Sequence, residues 1–131
     1  MDKVIIDTSV WIDSFRPTND QGIGLLVKDL ILKDRVLIPG IIKTELLRGT
    51  RTKSEFKRLS DLLKGITYLP VAETFWEKLS EFSFQLFRQG ISVPLTDSYI
   101  ALLCIENKAP LLHRDKHFEL IAQKTRLKIF S

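Results

Sequence analysis

One cysteine and two histidines are all the soft and imidazole ligands that this 131-residue sequence holds. A single thiol excludes an internal disulfide, and no residue set suits a structural zinc. Cys104 lies inside the apolar helical run Ile100–Glu106 and reads as a small core residue rather than a catalytic thiol. Repeats, low-complexity tracts and Gly/Ser/Pro-rich linkers are missing too, which favours one folded domain over residues 1–131. No apolar run approaches the roughly 20 residues of a membrane span, and the short apolar stretch after Lys3 cannot form a signal-peptide core. The expectation is a cytoplasmic protein without a membrane partner. Aromatic motifs of the ribonucleoprotein type are also absent, so nothing visible reads RNA bases. The net charge of +4 and pI near 9.3 lean towards an anionic partner. That lean can support a hypothesis but not start one.

What the chain does have is alternation. Strand patterns at Lys3–Ile6, Arg35–Pro39, Thr67–Val71, Leu111–His113 and Leu127–Phe130 are separated by helical periodicities. Those helices cover Ser9–Phe15, Ile23–Ile31, Ile41–Arg48 closed by Gly49, and a stretch marked by Phe56, Leu59, Leu62, Leu63 and Ile66 with Thr52 or Ser54 as cap. A long helix striped by Phe75, Trp76, Leu79, Phe82, Leu86 and Phe87 stops before Gly90, and its aromatic stripe fits core or a subunit interface. Thr96 is placed as the N-cap of a helix to about Asn107, and Phe118–Gln123 forms the last helix. Pro70 demotes the third strand towards a sheet edge. Such an α/β alternation predicts a mainly parallel sheet covered on both faces, with ligands beyond the carboxyl ends of its strands.

Four acids stand where the pattern does not want them. Asp7 ends the apolar run Val4–Ile6, and Asp115 follows Leu111–Leu112 within the packet His113-Arg114-Asp115-Lys116-His117. Glu45 shares a helix face with Ile41 and Ile42, and Asp97 opens the stripe that continues through Ile100, Ala101 and Cys104. Each has an ordinary reading: helix caps for Asp7 and Asp115, a first-turn acid for Asp97, an ion pair for Glu45. Taken together, those readings need four coincidences at one edge of one sheet. Carboxylates that converge out of water repel and call for a cation, and oxygen ligands select Mg2+ or Mn2+. The chemistry that matches is phosphodiester hydrolysis.

The four segments Asp7-Thr8-Ser9-Val10-Trp11-Ile12-Asp13, Glu45-Leu46-Leu47-Arg48-Gly49, Thr96-Asp97-Ser98-Tyr99-Ile100-Ala101 and His113-Arg114-Asp115-Lys116-His117-Phe118 resemble the successive motifs of PIN-domain nucleases. The spacing is most similar to VapC toxins, and the resemblance runs from Val4 to about Ile129. It implies a single-domain α/β/α sandwich with a mainly parallel sheet of about five strands. It further implies that Asp7, Glu45, Asp97 and Asp115 carry Mg2+ or Mn2+, with Thr8 or Ser9 adding a hydroxyl to a metal water or a carboxylate. Its other implications are an RNA substrate, a cognate antitoxin and a homodimer.

Arg48 and Arg51 begin the segment Arg48–Arg58, with five basic residues and one acid, and are candidate phosphate contacts beside Arg114, Lys116 and His117. His113 and His117 raise a rival, metal-free cleavage by two imidazoles. A haloacid dehalogenase phosphatase would need an acid at Ser9, and a receiver domain would need one after the third strand; neither is there. A housekeeping PIN nuclease and a non-catalytic partner-binding PIN domain remain as alternatives.

Overall fold

A computed structural model describes residues 2–16 and 21–131. Four strands, β1 (Val4–Ile6), β2 (Val36–Pro39), β3 (Thr67–Leu69) and β4 (Leu111–Leu112), form one sheet in the order β3-β2-β1-β4. Every pairing is parallel, with Ile5 opposite Leu37 on one side and Leu111 on the other. Successive strand side chains point to opposite faces, and Val4, Ile5 and Ile6 are all fully buried, so both faces of β1 are covered. The cover comes from α1 (Thr8–Phe15), α2 (Gln21–Leu32), α3 (Gly40–Arg48), α4 (Lys53–Lys64), α5 (Phe75–Arg88), α6 (Leu95–Glu106) and α7 (Lys116–Lys124).

The chain walks outward from β1 through β2 to β3 and then returns to lay β4 on the other side of β1. The order therefore reverses between β1 and β4. Such a reversal splays the following connections apart and leaves a crevice at the carboxyl ends of the two strands.

The structure moves several of the expected boundaries. The third strand stops at Leu69, because Pro70 has no N–H to continue the ladder, and it is the sheet edge. The expected closing strand shrinks to a single parallel bridge between Ile129 and Leu111, held by Leu111 N to Lys128 O and Phe130 N to Leu111 O, both 2.9 Å. Thr96 is not a cap: α6 begins one residue earlier, behind Pro94, which offers no side-chain acceptor. Thr52 caps α4 by accepting from Glu55 N at 3.0 Å, while Glu55 Oε2 reaches back to Arg51 N at 3.1 Å. Gly49 ends α3, but at φ −83°, with no left-handed turn. The stripe on α5 divides: Phe75, Leu79 and Leu86 are buried and Phe82 half-buried, whereas Trp76 and Phe87 lie exposed, as does Phe84 beside them. Among the described residues no helix is long and apolar enough to cross a membrane.

Candidate active site

The first two acids arrive by local chain geometry. Asp7 is the residue after β1, and its N–H donates to Leu112 O of β4 at 2.9 Å, which ties it to the crevice. It also caps α1: Oδ2 accepts from Ser9 N at 3.2 Å and Ser9 Oγ at 2.6 Å. Asp115 caps α7 in the same way, Oδ1 accepting from His117 N at 2.9 Å. A carboxylate offers about four lone-pair sites. Each cap fixes the rotamer through one oxygen and leaves the other for a ligand. The capping role and a metal-binding role are therefore compatible in one side chain.

Asp97 enters from α6, in its first turn, with its side chain only 14% exposed. Its Oδ2 lies 2.9 Å from His117 Nδ1, and the same nitrogen is 3.4 Å from Asp115 Oδ1. Asp97, Asp115 and His117 each offer a ligand atom, all within 4.8 Å of one another. Burial is the main force pushing the Asp97 pKa above its ordinary value; the His117 hydrogen bond opposes it, and repulsion from Asp115 and Asp7 adds to it. Three carboxylates and one imidazole thus act on one another at one place. A divalent cation that prefers hard ligands fits that donor set, with His117 as one nitrogen among oxygens.

Glu45 is held from the other direction. Its Oε1 accepts from Thr8 Oγ1 at 2.7 Å, so the residue after Asp7 carries it. The two hydroxyls named from the sequence thus both meet carboxylates, Thr8 that of Glu45 and Ser9 that of Asp7. Of the four acids, the structure gathers Asp97 and Asp115 most closely, sets Asp7 near enough to repel Asp97, and holds Glu45 at one remove through Thr8.

The basic candidates separate as well. Arg114 forms an ion pair with Asp13 at 3.4 Å, which turns it towards α1. Arg48, Arg51 and Lys116 are exposed. His117, a candidate phosphate contact from the sequence, faces Asp97 and Asp115. Its spacing of two from Asp115, at the start of a helix, was the signal available. His113 is engaged at both ring nitrogens, with Asp115 N at Nδ1 and Glu119 Oε2 at Nε2. The Cys104 thiol is pushed well up, by burial first and by Asp7 second, as befits a core residue. Beside Glu45 a groove of about 990 Å³ opens, lined by Ile12, Phe15 and Leu62 among apolar groups and by Arg16, Arg51 and Arg58.

A family model described as PIN domain matches residues 4–124. Ribonuclease VapC11 of Mycobacterium tuberculosis and VapC ribonuclease Mb1587 of Mycobacterium bovis are each 29% identical over 132 residues, covering 98% of this chain and 98% of their own. Among solved structures, VapBC2 from Rickettsia felis bound to a promoter DNA fragment is similar at TM-score 0.78 and 18% identity, covering 97% of this chain and 96% of its own. VapBC-1 from nontypeable Haemophilus influenzae is similar at TM-score 0.76 and 21% identity, covering 98% and 96%.

Proposed function

The chain belongs to the PIN domain family, and from that premise we propose that it is a metal-dependent endoribonuclease acting as the toxin of a toxin–antitoxin pair. The observation that carries the reading is the group Asp97, Asp115 and His117 at the β1–β4 reversal, with Asp7 near enough to repel Asp97. Relatives of matching length are named as VapC ribonucleases, which supports RNA as the substrate. Solved complexes named VapBC support an antitoxin as partner.

In this reading Asp97, Asp115 and Asp7 hold the cation, and His117 either joins them or orients both carboxylates. When bound, Mg2+ or Mn2+ supplies the Lewis-acid charge that phosphodiester hydrolysis needs. Glu45, steadied by Thr8, completes the anionic wall and can accept a proton from the attacking water. Ser9 keeps Asp7 in one rotamer, so the carboxylate is oriented before substrate arrives. Arg48, Arg51 and Lys116 sit exposed, able to meet RNA phosphates, whereas Arg114 steadies Asp13.

The groove beside Glu45 suits the antitoxin. Its apolar floor and its arginines fit an amphipathic segment bearing acidic residues, and a segment lying there would reach the catalytic wall. The exposed Trp76, Phe84 and Phe87 of α5, with Leu95 at the start of α6, suit a homodimer contact.

The test is cleavage of total cellular RNA by the purified, antitoxin-free protein with Mg2+, with Mn2+ and with EDTA, beside Asp7→Asn. Discrete fragments that need the metal and vanish in the variant support the reading. Cleavage that survives both EDTA and Asp7→Asn overturns it and returns attention to the imidazoles. Folded protein that cuts nothing favours a partner-binding domain.

A further inference from the structure

The packet before α7 contains a histidine that the reaction does not use, yet its side chain is only 7% exposed and both ring nitrogens are occupied. His113 leaves β4 with its ring edge-on to Phe118, the centroids 5.2 Å apart at 61°. Phe118 is fully buried, so the ring is packed against a fixed wall. Its Nδ1 lies 3.0 Å from the backbone nitrogen of Asp115. A backbone N–H can only donate, so Nδ1 must be the unprotonated nitrogen. The ring proton then belongs to Nε2, which donates to Glu119 Oε2 at 2.9 Å. Glu119 sits on the first turn of α7, one turn beyond Asp115, and half-exposed.

These bonds close a circuit around one acid. Asp115 offers three handles in this structure: its backbone N–H, its Oδ1 and its second oxygen. His113 takes the first and His117 N takes the second. The second oxygen is left whole for a ligand, and the carboxylate's direction is set by the two anchors. We propose that His113, held in one tautomer by Glu119, is a positioning residue that aims the Asp115 carboxylate at Asp97 and so sets the cation affinity of the crevice. This rests on the metal-site reading above. Outer hydrogen-bond partners of metal ligands typically change affinity roughly 10–100-fold when removed.

Two substitutions separate aiming from mere packing. His113→Phe keeps an aromatic ring on Phe118 and removes both hydrogen bonds. His113→Asn is smaller, but its side-chain oxygen can accept from the N–H two residues on, as asparagines do in Asx-turns. If aiming matters, Asn rescues and Phe does not; if packing matters, the order reverses. Glu119→Gln retains an acceptor for Nε2–H, and Glu119→Ala does not.

The experiment uses the full chain and two readouts. Without metal, 15N NMR reports the ring tautomer of His113, and hydrogen exchange reports protection of the Asp115 amide. With Mn2+ alone as probe, calorimetric titration reports affinity. The expected results are a proton on Nε2, a protected Asp115 amide, about 10–100-fold weaker Mn2+ binding in His113→Phe, and a loss under about threefold in His113→Asn. A proton on Nδ1, an unprotected Asp115 amide, or equal Mn2+ affinities for wild type and a folded His113→Phe overturns the proposal. Wild-type protein that binds no Mn2+ counts against the metal site itself, and the tautomer and amide readings then decide the positioning role.

Discussion

The crevice between β1 and β4 and the groove beside α1 and α4 share a border at Glu45, yet they are built in opposite ways. In the crevice each acid is tied by at least one hydrogen bond: Ser9 to Asp7, Thr8 to Glu45, His117 to Asp97 and His113 to Asp115. The groove instead leaves Ile12, Phe15 and Leu62 each 40% exposed or more, with arginines at its margins. A crevice of that kind is organised before its ligand comes, so its energy goes into holding charge in place. Exposed apolar groups in a groove gain only when something covers them. The difference teaches that cleavage and its control can be damaged separately.

The sharpest way to break the comparison is at Asp97. Asp97→Asn is expected to lower RNA cleavage by more than about 100-fold, beyond what loss of an outer partner costs, in gel assays at saturating Mn2+. A groove change must do something else. Phe15→Ala should weaken binding of the cognate antitoxin by roughly 10–100-fold, the range of a buried aromatic anchor, by titration calorimetry. In the same variant, cleavage by antitoxin-free protein should fall less than about threefold. If cleavage and antitoxin binding fall together, the two regions are one.

The border itself comes next. Thr8→Val removes the hydroxyl on Glu45 while keeping the shape of the side chain, and cleavage should drop about 10-fold with little change in Mn2+ affinity, because Thr8 touches only the more distant acid. A loss as large as that of Asp97→Asn would place Glu45 in the inner ligand group.

The smallest expected effect is on stability, and it carries a sign. Asp97 has a raised pKa in the fold, so the fold favours its protonated form. The associated stability is present below about pH 3.8 and is lost as pH rises through the folded-state value. In metal-free protein, Asp97→Asn should therefore raise Tm at pH 7, and by less at pH 4. Thermal melts with EDTA at both pH values check this, and an unchanged or lower Tm at pH 7 would sink it.

Much of this organisation was legible before any coordinates. Apolar runs that end on Asp7 and Asp115 announce strand ends, and the inward faces carrying Glu45 and Asp97 are visible from helical spacing alone. Distance was not legible. A helix face says that Glu45 points inward, but only the packing of α3 against α1 shows that it meets the Thr8 hydroxyl. The histidines were obscure for a related reason: a ring's role depends on which atoms meet its two nitrogens, and those come from Asp97 and Glu119, 20 and 6 residues away. Pro94 displaced the start of α6 because proline supplies a fixed φ without a side-chain acceptor, a choice that Thr96 concealed. The exposed half of the α5 stripe was indistinguishable from its buried half until α6 was seen against it.

Whether Asp97 and Asp115 hold a divalent cation can be tested by binding, without RNA. Mn2+ would be titrated calorimetrically into metal-free wild type, Asp97→Asn and Asp115→Asn, each shown to be folded. Wild type should bind saturably, and each variant at least about tenfold more weakly. Equal affinity in all three would contradict the proposed site.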